Sequence, residues 1–122
     1  MTPGEFRRIA RRALRLLPAE FQPYVKDCLL VVKRRASAKR LREMEMPEDE
    51  ELYGVYEGAS LTERRSDDEG ELPPRIILFY EPLIEDFPDE TELEHEIQVT
   101  VLHELGHHFG LDEKRLEELG YE

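Results

Sequence analysis

The stretch VLHELGHHFGLDEKRL, residues 101–116, holds three of the four histidines in this chain of 122 residues. Within it, residues 103–107 form the pattern H-E-x-x-H, with His103, Glu104 and His107 as its fixed positions. Apolar residues at helical spacing run through the motif, which predicts one amphipathic helix. Four residues advance a helix by about 400°, so both imidazoles should project from the same face.

Two imidazoles at this spacing can bind one zinc ion through ring nitrogens at about 2 Å. Glu104 lies about 100° further round the helix from His103, close to the metal but poorly placed to ligate it. It can instead act as general base towards a metal-activated water, because the ion lowers the pKa of that water towards about 7. The motif therefore predicts two ligands, His103 and His107, and one catalytic carboxylate. The alternative is a set of histidines that are exposed or packed without a metal.

A third ligand is expected from the segment after His107, which carries several carboxylates. In the spacing H-E-x-x-H-x-x-G-x-x-H, Gly110 turns the chain back towards the metal and the last ligand falls on Glu113. A carboxylate can ligate zinc, so Glu113 is the expected third ligand, with Asp112 as the alternative. The other role open to Asp112 is the N-cap of a short terminal helix. The two remaining histidines are expected at the surface rather than at the metal: His95 and His108.

Length and periodicity predict a single α+β domain over residues 1–122, with elements in the order α-β-α-β-β-α. The strands should form one small mixed sheet packed on the helices. Residues 62–74 are polar and contain Gly and two Pro, which predicts a loop or a long hairpin connection. Runs rich in β-branched, leucine and aromatic residues predict strands at 27–34, 52–58 and 75–81.

Capping signals predict where the later helices begin and end. Ser37 can cap a helix through about Met46. Thr91, followed by Glu94, predicts the start of the long motif-bearing helix, and Gly110 suits its left-handed C-terminal position. Short helical segments are expected at 82–88 and 111–120. The apolar stripe of the long helix comprises Ile97, Val101, Leu102, Leu105 and Phe109.

The predicted N-terminal helix carries much of the basic charge of the chain. Thr2 can cap its start, its apolar residues recur through Leu17, and Pro18 ends it. Residues 1–42 contain 12 Lys and Arg against 3 Asp and Glu, whereas the rest contains 5 against 26. The simplest interpretation is that this helix lies against acidic surface of the remaining chain. No nucleic-acid-binding motif accompanies the arginines, so nucleic-acid binding is not expected.

The quoted motif and its flanks resemble a known family. HELGHHFGLDEKRLEELG, residues 103–120, is similar to the signature H-E-x-x-H-x-x-G-x-x-D of the minimal zincins, the small bacterial zincin-like metallopeptidases. The segments LYGVYEGASLTER and PPRIILFYEPL are similar to the family's strand segments. The resemblance implies a compact zincin fold, a zinc ion and peptidase-type hydrolysis of a peptide or protein substrate. It implies His103 and His107 as ligands, Glu104 as catalytic acid and base, and an acid at the position of Glu113.

The composition argues against several other classes of protein. No apolar run reaches the roughly 18 residues that a membrane span needs, and the arginine-rich N-terminus lacks the apolar region of a secretory signal. A single cysteine leaves no internal disulfide, so a cytoplasmic location is expected. Abundant charge and the lack of Asn hint at a thermophilic source. The alternative function is a metal-stabilised interaction or regulatory module without proteolysis.

Overall fold

A computed structural model of the chain describes residues 1–46, 51–58 and 73–122. It confirms the α+β class and the order of the predicted elements. The predicted connection at 62–74 lies outside the described residues except for its last two positions. Along the chain the elements are α1 (Pro3–Arg15), a 3-10 turn (Ala19–Phe21), α2 (Gln22–Val25), β1 (Leu29–Lys33), α3 (Ala38–Glu43), β2 (Gly54–Glu57), β3 (Arg75–Phe79), α4 (Tyr80–Asp86), α5 (Glu90–Phe109) and α6 (Glu113–Glu118).

The three strands form one mixed sheet in the order β1-β3-β2. β1 runs parallel to β3 with Val31 opposite Ile77, and β2 runs antiparallel to β3 with Val55 opposite Ile77. β3 is buried, as expected for the central strand. The apolar run at residues 27–34 favours a buried strand, and this prediction is wrong: Leu29 of β1 is 54% exposed, because β1 lies at an edge of the sheet. β2 forms the opposite edge, beside α5.

The N-terminal helix α1 packs across α5, as the charge pattern predicts. The Thr2 side chain accepts a hydrogen bond from the Glu5 N–H at 3.1 Å and caps the helix. Buried Gln98 of α5 donates to the Ala13 carbonyl of α1 at 2.9 Å. At the surface, the Arg12 guanidinium forms ion pairs with two glutamates of α5, Glu90 and Glu94. The apolar face of α1 is buried through Phe6, Ile9, Ala10 and Ala13.

The long helix α5 begins earlier than the sequence predicts. Asp89, not Thr91, is its N-cap, and the Asp89 carboxylate accepts from the Glu92 N–H at 3.0 Å. An aspartate side chain can accept hydrogen bonds from the free N–H groups of a first helical turn, so α5 begins two residues before the predicted start. At the other end Gly110 adopts the predicted left-handed conformation, with φ of 66°. The motif-bearing helix is therefore capped at its start by the Asp89 side chain and at its end by the left-handed backbone of Gly110.

The apolar stripe of α5 faces the core along most of its length. Four of its predicted members, Ile97, Val101, Leu102 and Leu105, are buried. The exception is Phe109, which is 47% exposed. Its ring instead contacts two tyrosine rings, Tyr24 at 5.1 Å and Tyr56 at 5.4 Å. No helix in the described part of the chain is both long and apolar enough to cross a membrane.

Candidate metal centre

α5 presents the H-E-x-x-H motif from its outer face while its inner face is fixed in the core. Leu102 and Leu105 are completely buried, and these positions set the rotation of the helix. As a result His103 and His107 are both exposed, one turn apart. The Glu104 side chain lies between the buried and the exposed faces of α5 and is 21% exposed.

The Glu104 carboxylate is held between the edge strand β2 and the second histidine. The backbone N–H of Tyr56 donates to Glu104 Oε1 at 3.2 Å. The other carboxylate oxygen, Oε2, lies 3.6 Å from His107 Nδ1. A charge-assisted bond from a backbone amide fixes the carboxylate without neutralising it, which suits a group that has to accept a proton.

Gly54 allows β2 to lie close enough for this contact. A Cβ atom at this position would sit 2.9 Å from the Ile77 carbonyl oxygen and 3.1 Å from the Thr100 methyl group of α5. Both distances are shorter than ordinary van der Waals contact. Neither Gly54 nor Tyr56 is predicted as a site residue from the sequence. A glycine inside a strand pattern is a signal of close backbone approach, and it could have pointed to Gly54.

α6 brings Glu113 to the same cavity as His103. The cavity has a volume of about 340 Å³ and is also lined by Leu116, Glu117, Tyr121 and Glu122. Asp112 is the N-cap of α6, and its carboxylate accepts from the Lys114 N–H at 3.0 Å. Asp112 thus occupies the capping role that the sequence left open for it. His107 does not line this cavity.

Few contacts hold α6 in place. Leu116 is its buried residue, at 3% exposure. At the surface, Arg115 donates to the Glu20 carboxylate at 2.8 and 3.3 Å. This hydrogen-bonded ion pair lowers the pKa of Glu20. Partly buried residues on either side of α6 also pack against the core. The position of Glu113 therefore depends on a few apolar contacts and one exposed ion pair.

His103 is engaged by the turn that follows α6. Its Nε2 atom lies 3.1 Å from the carbonyl oxygen of Tyr121. The Tyr121 ring stacks on the ring of His95 at a centroid distance of 5.8 Å. His95 was expected to be a surface residue; it is exposed, and it contacts the site indirectly through Tyr121. His108 packs against the Tyr56 ring at 4.7 Å.

A groove of about 310 Å³ runs between β2 and α5 beside Glu104 and His103. Tyr53 lines it and donates a hydrogen bond to Asp86. Burial, together with this bond, raises the pKa of Tyr53 to about 12, so the phenol stays protonated near neutral pH. The groove offers an elongated ligand a path past the Glu104 carboxylate.

A protein-family model matches most of the chain. Residues 25–121 match the model described as zincin-like metallopeptidase. The chain belongs to this family. No curated protein shows significant similarity to the sequence. The match begins after α1, so the family assignment rests on the sheet, α5 and α6.

Members of the zincin-like family are typically zinc-dependent, and the donor set of this chain fits zinc in its chemistry. His103 and His107 supply two imidazoles a turn apart, and Glu113 shares a cavity with His103. In the described residues, no group of three His, Cys, Asp or Glu side chains converges as a metal site. The side chains of His103, His107 and Glu113 are all exposed.

Proposed function

We propose that the chain is a zinc-dependent metallopeptidase that hydrolyses peptide bonds with Glu104 as its general base. His103 and His107 are two of the metal ligands in this proposal. The observation that carries it is the position of the Glu104 carboxylate, which accepts a hydrogen bond from the Tyr56 N–H and borders the groove between β2 and α5. This bond fixes the carboxylate beside the groove, where it is available to a ligand bound there.

Glu113 is the third ligand in this proposal. It lines the cavity of His103, whereas the Asp112 carboxylate is used to cap α6. Withdrawing Asp112 from its cap would leave a backbone N–H of the first turn without a partner. The placement of the two acids thus favours Glu113 over Asp112.

Each protein group has a defined task during hydrolysis. The zinc ion, when bound, polarises the substrate carbonyl and lowers the pKa of a water molecule. Glu104 accepts the proton of that water and returns it to the leaving amine. The Tyr56 N–H holds the carboxylate in place for both transfers. An extended peptide or protein segment is the proposed substrate, lying along the groove beside the edge strand β2.

Glu104→Gln tests the proposed catalytic role. Glutamine keeps an oxygen that can accept from the Tyr56 N–H, but it cannot take up a proton, so the fold and zinc binding should be retained. Hydrolysis of an unstructured protein such as casein should fall by about 100-fold or more. Zinc content is measured on the same preparations by atomic absorption after incubation with the metal.

His103→Ala and His107→Ala should each abolish stoichiometric zinc binding, whereas the matched control His108→Ala should retain it. Zinc-loaded wild type and Glu104→Gln with the same low turnover would contradict the peptidase proposal. That result would favour a metal-stabilised interaction module. A wild-type protein that takes up no zinc would contradict the metal site itself.

A further inference from the structure

The turn that follows α6, residues 119–122, lies across the candidate site; we name it the post-α6 turn. Its Tyr121 carbonyl contacts His103 Nε2 at 3.1 Å. The Tyr121 N–H donates to the Leu116 carbonyl at 2.9 Å, which ties the turn to α6. The Tyr121 ring lies nearly parallel to the His95 ring, with 17° between their planes. Two other contacts of Tyr121 therefore hold its carbonyl oxygen against a proposed metal ligand.

Gly120 gives the post-α6 turn its direction. Its φ of 89° lies in the left-handed region, which side-chain-bearing residues rarely adopt. The Leu119 and Gly120 N–H groups donate to the carbonyls of Arg115 and Glu117. The chain is thereby folded back over α6 towards α5, which brings the Tyr121 carbonyl to His103.

The post-α6 turn also separates the two openings beside His103. Glu122 lines the cavity of Glu113, and it also lines the groove between β2 and α5. His103 borders both. Displacing the turn would join the cavity and the groove into one cleft that passes the motif.

The contact at His103 Nε2 is incompatible with zinc at the same atom. A carbonyl oxygen can only accept, so Nε2 must carry the proton in this hydrogen bond. A ring nitrogen has to be deprotonated to ligate a metal. In His107 the Nδ1 atom faces Glu104, which leaves Nε2 of that ring for the metal. Nε2 is also the ring nitrogen further from the helix backbone, so it is the atom with which two imidazoles on one helix reach a shared ion.

We propose that the post-α6 turn is a strap that competes with zinc for His103 Nε2. With the strap closed, His103 donates to the Tyr121 carbonyl and the cavity and groove are separate. With zinc bound, the carbonyl is displaced and the cleft opens to substrate. This proposal depends on the proposed metal site, so its test distinguishes failure of the strap from failure of the metal site.

Replacement of Tyr121 tests the strap through zinc affinity, measured by competition with a chromophoric chelator. Tyr121→Ala removes the ring that stacks on His95 and should loosen the strap. Zinc should then bind about threefold to tenfold more tightly than in wild type, the range that one net hydrogen bond represents. Tyr121→Phe keeps both ring and carbonyl, so its zinc affinity should match that of wild type.

A weaker affinity in Tyr121→Ala would overturn the strap, because the carbonyl would then be orienting His103 for the metal. An unchanged affinity would overturn it as well, while leaving the metal site standing. If neither wild type nor Tyr121→Ala takes up zinc, the metal site and the strap both fail.

A second measurement follows the strap directly. The chain contains no tryptophan, so Tyr121→Trp places a single fluorophore in the post-α6 turn. Zinc should shift its emission to longer wavelength as the ring leaves His95 for solvent. A zinc-loaded protein whose emission equals that of the metal-free protein would overturn the proposal, whatever its affinity.

Discussion

The proposed ligands come from two helices that are fixed in very different ways. α5 has 20 residues, a capping aspartate, a left-handed glycine at its end and seven buried side chains. α6 has 6 residues and buries Leu116. α5 carries the histidine pair, and α6 carries Glu113.

This difference indicates how the site is assembled. The relative position of His103 and His107 is set by a helix that the core holds rigid, so the folded chain pre-arranges them. Glu113 is placed by a short helix with little buried surface, and short helices depend on tertiary contacts for their stability. Zinc binding should therefore be coupled to the order of α6 far more than to that of α5.

The largest effect is expected from weakening the core attachment of α5. Leu102 is completely buried, and Leu102→Ala should lower the free energy of unfolding by about 2–5 kcal/mol. The matched change on α6, Leu116→Ala, should lower the free energy of unfolding by an amount near the lower end of this range, since Leu116 is the buried residue of α6. It should nevertheless weaken zinc binding more than Leu102→Ala does. Urea unfolding of the metal-free proteins would measure the loss of stability, and zinc titration of each variant would measure its zinc affinity. A larger stability loss in Leu116→Ala than in Leu102→Ala would mean that α6 is attached to the core more firmly than α5.

A smaller effect is expected from the carboxylate on α6. Glu113→Gln should weaken zinc binding by about tenfold or more, because an amide is a poorer ligand than a carboxylate. Asp112→Asn is the matched variant, since asparagine caps a helix as well as aspartate does and only the charge is lost. Its zinc affinity should stay near that of wild type, as should that of the surface control Glu118→Gln. Loss of affinity in Asp112→Asn alone would assign the third ligand to Asp112.

Local patterns in the sequence were sufficient for the parts of the fold that local chemistry determines. The caps at Thr2 and Ser37 and the left-handed Gly110 were predicted and are confirmed. Each depends on residues within about four positions, which is the range of helix capping. The pairing of His103 with His107 on one helix has the same local origin.

Contacts between distant segments were not predictable in the same way. The bond from Tyr56 to Glu104 joins residues 48 positions apart, and it exists because β2 lies at the sheet edge nearest α5. Strand order is a property of the whole fold, and no spacing in the sequence specifies it. The contact between Tyr121 and His103 likewise depends on how α6 folds back.

The smallest effect concerns the ion pair that holds α6 at the surface. Hydrogen bonding to Arg115 lowers the pKa of Glu20 in the folded protein. A carboxylate with a depressed pKa adds stability above its unfolded-state pKa of about 4.3, and this is lost as the pH falls through the lower, folded value. Arg115→Gln should thus slightly reduce the free energy of unfolding at about pH 7, and its difference from wild type should shrink as the pH falls through the folded pKa of Glu20.

The matched control for this change is Arg8→Gln, because the exposed Arg8 has no ion pair within the described residues. Its effect on unfolding should not vary with pH in the acid range. Zinc affinity provides the second measurement: Arg115→Gln should weaken it at neutral pH, since α6 then loses its ion pair with Glu20, and Arg8→Gln should leave it unchanged. Equal zinc affinities in the two variants would mean that Leu116 suffices to position Glu113, and that α6 is fixed more firmly than its few contacts indicate.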